Sequence, residues 1–321
     1  MLKDLIIIKI NKKNIFFFLK ASISFGFLYI LFNKFSLYEI FDIIKKSQIN
    51  FLFLTILTLI SQIMLAIFRW RTLLRIKKIN LSILECLKLF WIGLFFNQVL
   101  PSTIGGDAIR AYMLIKRGYN IGVATISILL DRMFGLIGLL ILLIIVMPLL
   151  FNQLPTIFHQ SEIYFLMIVL IIVITTTFLL DFVLYKFIKF KFIQIMSTLA
   201  KDGRKLIKDF KLGSKILVLS ILIHFISVLT IGLIAISLNI IIPWNFLFII
   251  VPIISLLVFI PISISGWGFR EGIMVLGLGY SGVPGVEALT LSLAYGFILL
   301  LTALPGVIFW ITNIFLSKNK I

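Results

Sequence analysis

Seven apolar runs, at residues 15–32, 51–68, 133–151, 163–180, 216–238, 246–262 and 288–312, dominate this chain. Each approaches or exceeds the roughly 17 to 25 residues with which an α-helix crosses a hydrocarbon core. In lipid a backbone must satisfy its own N–H and C=O groups, so runs of this length are expected to become membrane-spanning helices. The rest of the composition leaves little for anything else. Of the 321 residues, 61% are hydrophobic and only 13% charged, against about 25% charged in ordinary soluble domains. The expectation is an all-α polytopic integral membrane protein, a single transmembrane domain over residues 1–321. Lys3, Lys9, Lys12 and Lys13 lead into a full-length apolar stretch without a small-residue cleavage site, so the first segment is read as retained.

Several function classes drop out. Cys86 is the single cysteine, and His159 and His224 are the only histidines, which provides neither a disulfide framework nor a Cys/His zinc site. No Gly-x-Ser-x-Gly elbow, His-Glu-x-x-His or Walker sequence occurs, so neither an enzyme nor a cofactor is expected. The net charge of +18 does not imply nucleic acid, because the basic residues sit in short loops between apolar runs.

Those loops instead set orientation. Lys and Arg gather at Lys3 to Lys13, at Arg69, Arg71, Arg75, Lys77, Lys78 and Lys88, at Lys186 to Lys215, and at Lys318 and Lys320. These regions are expected in the cytoplasm, both termini included, for a protein of the inner membrane. Segments 152–162 and 239–245 carry no Lys or Arg, and 33–50 balances Lys34, Lys45 and Lys46 with Glu39 and Asp42; these should face outward. Segment 185–215 mixes aromatic and aliphatic residues with many lysines and reads as an amphipathic stretch on an anionic leaflet.

Two stretches do not fit as simple spans. Residues 89–117 and 246–285 each hold an apolar arm, a proline, a Gly-rich break with charges and a second short arm, as a re-entrant helical hairpin would. Irregular backbone at membrane depth survives only where protein or a cavity satisfies it. Pro101, Gly106 and Arg110 match Pro261, Gly266 and Arg270 at one constant offset (261 − 101 = 266 − 106 = 270 − 110 = 160), which reads as an internal duplication with halves 1–151 and 152–321. Each half then holds about three spans and one hairpin, so the six spans form an inverted repeat, an architecture of many secondary transporters.

The residues that carry the breaks are Phe96-Asn97-Gln98-Val99-Leu100-Pro101-Ser102-Thr103-Ile104-Gly105-Gly106-Asp107-Ala108-Ile109-Arg110, then Leu130-Asp131-Arg132, then Pro261 to Gly272, and a Gly-Val-Pro element from Gly282 to Leu289. With these motifs the chain resembles, over nearly its whole length, the flippase-like membrane family that includes the transmembrane region of lysylphosphatidylglycerol synthases. The resemblance implies movement of a lipid-like substrate between leaflets, an anionic phospholipid or a polyprenyl phosphate. The full-length synthases carry a soluble aminoacyl-transferring domain; only a few polar residues follow residue 312 here, so lipid aminoacylation by this chain alone is not expected.

Candidate substrate-binding residues follow from chemistry at the breaks. Arg110 and Arg270 can fork onto phosphate oxygens, or snorkel to an interface. Glu271 can carry a proton or form a structural ion pair. Asp107 and Arg110 are three apart and suit a local pair, whereas the adjacent Asp131 and Arg132 point about 100° apart and need partners on other elements. Gly105, Gly106, Gly266 and Gly268 either admit a headgroup to backbone N–H groups or serve tight turns. Trp267 suits an anchor at a membrane boundary and His224 suits packing. The expected function is transport of an anionic lipid. The alternatives are a membrane subunit that presents a lipid carrier to a separate glycosyl- or aminoacyltransferase, and a scaffold that transports nothing.

Overall fold

The computed structural model describes residues 12–100, 104–150, 160–184, 191–258, 263 and 265–318. Pro101, Ser102, Thr103, Pro261 and the segment 152–159 lie outside the described residues. Among the described residues the regular structure is helical throughout. The first six helices are α1 (Lys12–Lys34), α2 (Leu37–Lys45), α3 (Ile49–Ile76), α4 (Ile83–Val99), α5 (Gly105–Lys116) and α6 (Ile121–Leu150). They are followed by α7 (Gln160–Leu184), α8 (Lys191–Lys208), α9 (Phe210–Ser237), α10 (Trp244–Val258), α11 (Phe269–Gly279), α12 (Gly285–Ala303) and α13 (Pro305–Lys318).

Four described stretches are long and apolar enough to cross a membrane: Ile49–Ile76, Ile121–Pro148, Phe210–Ser237 and Gly285–Thr312, each of 28 residues. At 1.5 Å per residue each reaches about 42 Å, more than the hydrocarbon thickness. The last contains the apolar run 288–312, which the sequence marks as one span. It breaks instead at Leu304, because Pro305 has no N–H to continue the ladder.

The centre of the bundle is the α3–α9 pair. Leu59, Val228, Ile231 and Ile234 are buried there, and the seam also carries polar bonds: Gln62 donates to Ser227 Oγ at 2.6 Å and Thr230 to Thr58 Oγ1 at 3.1 Å. Polar side chains with partners across a helix seam hold it where the surrounding lipid offers no hydrophobic drive. α6 joins this pair closely, since a Cβ on Gly138 would lie 2.4 Å from Ser220 Cβ; only glycine lets the two backbones approach so far.

Helices pair around each of the two expected breaks, α4 with α5 and α10 with α11, while residues 101–103 and 259–262 lie outside the described residues. α4 starts at a capping box, in which Ser82 Oγ accepts the Glu85 N–H at 3.2 Å and Glu85 Oε2 accepts the Ser82 N–H at 2.9 Å. α5 runs back along it, and Arg117 just past its end lies 3.5 Å from Glu85, so the mouth of the hairpin closes on itself. α10 and α11 form the second pair, with Gly277 against Ile250. α5 packs on α6 as α11 packs on α12. Across the halves, α4 packs on α12 and α10 on α6.

Loops expected on one side of the membrane meet at one end of the bundle. Gln48 donates to Asn239 at 2.6 Å and Asn239 to the Lys46 carbonyl at 3.2 Å, joining 33–50 to 239–245. At the other end Lys77 pairs with Asp202 at 2.6 Å, joining two of the basic regions. α8 is amphipathic as expected, but Leu199 and Leu206 pack with Met133 and Phe134. Its apolar face is therefore turned onto the protein, while Lys201, Lys205 and Lys208 remain exposed.

Candidate functional site: an arginine–aspartate cluster beside the first break

The first break positions Arg110 through two glycines. A Cβ on Gly106 would lie 1.8 Å from the Gly93 carbonyl oxygen, and one on Gly93 would meet Arg110 Cγ at 2.8 Å. The bare faces of α4 and α5 thus press together, with the Arg110 stem laid over Gly93. Asn97, near the end of α4, reaches across the break and accepts the Gly106 N–H at 2.8 Å, satisfying one of the open donors at the start of α5. The guanidinium then sits 4.6 Å from the Trp70 ring and 4.8 Å from the Phe90 ring, where a desolvated cation gains from the aromatic faces.

Five charged side chains alternate around this point. Arg69 Nε donates to Asp131 Oδ1 at 2.8 Å, and Arg110 Nη2 lies 3.4 Å from Asp131 Oδ2 and 2.9 Å from Asp107 Oδ1. Arg132 Nε closes the chain on Asp107 Oδ2 at 2.5 Å. The three elements involved are α3, α5 and α6, and α9 contributes Ser220, whose Oγ accepts from Arg69 at 3.1 Å. Arg69, Asp107, Arg110 and Asp131 are all buried. The four buried members, two arginines and two aspartates, balance one another, and Arg132 is about one-third exposed at 34%. Charges held out of water inside a membrane-spanning bundle are costly and mark a candidate functional site.

The cluster lines a cavity of about 300 Å³, whose remaining wall includes Leu136, Leu139, Ile223 and His224. This pairing of a charged end with an apolar wall fits an amphiphile. Arg110 Nε is buried there without a hydrogen-bond partner. His224 Nε2 lies 2.9 Å from the Gly135 carbonyl oxygen, and Gly135 itself leaves room for Arg69, 3.3 Å from where its Cβ would be.

Asp107, Arg110, Asp131 and Arg132 therefore come together, with Asp107 and Arg110 as the local pair and Asp131 partnered from other helices. Arg69 was legible only as part of a basic loop; the signal for it was that Asp131, turned about 100° from the adjacent Arg132, needed a partner on another element. Ser220 and His224 gave no sequence signal beyond their place in an apolar helix.

Arg270 and Glu271 form a separate group. Arg270 Nη2 and Nε reach Glu271 Oε1 at 2.6 and 3.1 Å, Ser292 Oγ approaches the same oxygen at 3.3 Å, and the Gly268 N–H donates to Oε2 at 2.5 Å. The guanidinium lies 4.9 Å from Trp267 and 5.6 Å from Tyr295. Gly296 makes room for it, since a Cβ there would lie 2.2 Å from Arg270 Nη2. This charge pair is internally neutral and borders a space of only about 30 Å³.

The four candidate glycines are occupied by the fold in this conformation. Gly105 is pressed on Leu100 and Gly106 on Gly93, while Gly268 faces the Ser24 carbonyl. Gly266 and Gly268 adopt φ of +84° and +79°, which L side chains rarely accept. The two breaks touch: Ser265 Oγ lies 2.8 Å from the Asn97 carbonyl oxygen and 3.2 Å from those of Gln98 and Leu100.

A family model described as the lysylphosphatidylglycerol synthase TM region matches residues 17–306. A UPF0104 membrane protein of Pyrococcus horikoshii is 25% identical over 106 residues, which is 32% of this chain and 32% of that protein. The match thus spans about a third of the relative's length. No solved structure matches the chain. The family match takes in both breaks and every member of the arginine–aspartate cluster, and the chain belongs to the family of the lysylphosphatidylglycerol synthase transmembrane region, as an integral membrane protein.

Proposed function

We propose that this protein is a lipid transporter or flippase that moves an anionic lipid between the leaflets of the inner membrane. The observation that carries the reading is the Arg69–Asp131–Arg110–Asp107–Arg132 cluster, four of its five members buried, on the wall of a cavity of about 300 Å³ that is otherwise largely apolar. A phosphate binds the arginines while the hydrocarbon tails stay in lipid. The chain makes and breaks no bond of its own, and both termini lie in the cytoplasm.

The repeated element order supports two halves in inverted orientation. The long helices α3 and α9 lie at the centre, α4–α5 and α10–α11 are the two hairpins, and α6 and α12 follow them. With α1 and α7 this gives six spans and two re-entrant hairpins, which meet beside their breaks at Ser265. In the conformation described, the first hairpin borders the large cavity and the second a small one. Exchange of these two roles would give the site access from the other side.

The test is exchange of labelled lipids between leaflets of proteoliposomes, run over an anionic phospholipid, a polyprenyl phosphate and a neutral diacylglycerol. Exchange of a phosphate-bearing lipid above the protein-free rate is expected, and none of the neutral one. Folded protein that exchanges no lipid in the panel contradicts transport and favours a membrane subunit that presents a lipid carrier to a separate transferase.

A further inference from the structure

His224 on α9 stands on the wall of the arginine cavity, one helical turn from Ser220, whose Oγ accepts a hydrogen bond from Arg69. Its Nε2 lies 2.9 Å from the Gly135 carbonyl oxygen. A carbonyl only accepts, so Nε2 carries a hydrogen whether the ring is charged or neutral, and a proton comes or goes at Nδ1. Among the described residues nothing bonds Nδ1. The charged groups around the ring belong to one ion-pair network: α3 brings Arg69, α6 brings Asp131 and Arg132, and α5 brings Asp107 and Arg110. From α10 the cavity receives Ser255, and Trp244–Val258 holds no ionisable side chain. α12 brings Tyr295 to an adjoining cavity that shares Ile223. α8 meets the start of α9, where Gly213 packs on Leu206 and Ile207, about three turns from His224.

Charge balance bears on what this ring does when an anion arrives. Arg69, Asp107, Arg110 and Asp131 are buried and sum to zero, and Arg132 is turned partly to solvent while it engages Asp107. A phosphate that enters the cavity brings negative charge, and charge taken out of water without a counter-charge is costly. His224 is the one side chain lining this cavity whose ordinary pKa lies in the physiological range. A proton taken from water at Nδ1 supplies the positive charge that the buried network lacks, and it returns to water when the anion leaves.

We propose that His224 is a proton site coupled to the anion site, so that an anionic lipid binds together with a proton and a pH difference across the membrane biases the direction in which the lipid is moved. The inference rests on the anionic-lipid reading of the cavity and adds its coupling ion.

The test is equilibrium binding of dihexanoyl phosphatidylmethanol to the full chain in nanodiscs of a neutral lipid, between about pH 5 and 8, the span over which histidine changes charge. A phosphodiester has no second proton to lose, unlike a phosphomonoester with its second pKa of about 6, so pH dependence of binding belongs to the protein. Uptake of a proton with the lipid predicts a Kd that rises as pH rises, by up to about tenfold per pH unit. In weakly buffered solution, binding should draw protons from the medium. His224→Gln keeps a donor for the Gly135 carbonyl and should bind with a Kd that does not change with pH. If glutamine does not fold there, His224→Phe, which fills the ring's place, should behave the same way. A Kd independent of pH in the unaltered protein overturns the proposal without recourse to any variant. So does the same pH dependence in a folded His224 variant, which places the proton elsewhere. Both outcomes leave the arginine site standing. Failure of the probe to bind, or binding that Arg110→Ala does not weaken, overturns the anionic-lipid reading as well.

Discussion

Ser265 in the second break bonds the carbonyl oxygen of Asn97 at the end of α4 in the first, at 2.8 Å. The contact joins the two helix pairs beside their breaks. It serves the orphan carbonyls at the α4 C-terminus, which have no intrahelical partner. Ser265 also holds φ at +51°, a conformation that costs a non-glycine residue roughly 1 kcal/mol or more. Ser265→Ala should lose the bond and keep the strain, lowering stability by about 1 kcal/mol. Ser265→Gly should lose the same bond but recover part of that loss. Thermal unfolding of the two purified variants checks the order; a less stable glycine variant would contradict it.

The Gly93–Gly106 approach is the tightest in the first hairpin. A methyl group on Gly106 would lie 1.8 Å from a backbone oxygen, which cannot rotate away. Gly106→Ala should therefore force α4 and α5 apart and cost about 3 kcal/mol or more. Gly279→Ala is the control, because nothing lies within 4 Å of its Cβ position, and it should be within about 0.5 kcal/mol of the unaltered protein. The unfolding midpoints of both in detergent measure the contrast.

Arg69 and Asp131 form a buried pair at 2.8 Å. Arg69→Met leaves Asp131 with only the longer bond to Arg110 and should cost about 3 to 5 kcal/mol. Combining it with Asp131→Leu should cost less than the two single changes added together, with a coupling of about 1 to 3 kcal/mol. A double-mutant cycle by denaturant or thermal unfolding reads this coupling, and strict additivity would deny the pair.

The positions of the charged loops lead to a sidedness prediction. In a Cys86→Ser background, Ile241→Cys should react with a membrane-impermeant maleimide from outside the cell, since Ile241 is 92% exposed next to Asn239. Lys211→Cys should react only once the membrane is opened. Labelling of both from the same side would refute the topology.

Much of this fold was legible because lipid imposes a simple rule. Long apolar runs such as 216–238 had to become helices, and the lysines around Asp202 had to lie apart from the loop at Asn239. The breaks were legible because Gly105-Gly106 and Gly266-Trp267-Gly268 interrupt apolar stretches with charge nearby. Pairing across helices was harder to read. Arg69 lies near the C-terminal end of α3, 62 positions from Asp131, and only packing of α3 against α6 makes it their common site. Arg110 and Arg270 look equivalent in the sequence, yet one joins an ion-pair network drawn from three helices and the other pairs with its own neighbour, Glu271. That asymmetry belongs to the conformation, which no motif encodes.

In the proposed function the cluster around Arg110 holds the headgroup of a transported lipid. The most direct measurement is the initial rate of anionic-lipid exchange in proteoliposomes for Arg110→Ala against the unaltered protein, at matched folded amounts. Loss of a charge-assisted pair to phosphate predicts a fall of about tenfold or more. Exchange at the unaltered rate in well-folded Arg110→Ala would exclude Arg110 as the group that holds the headgroup.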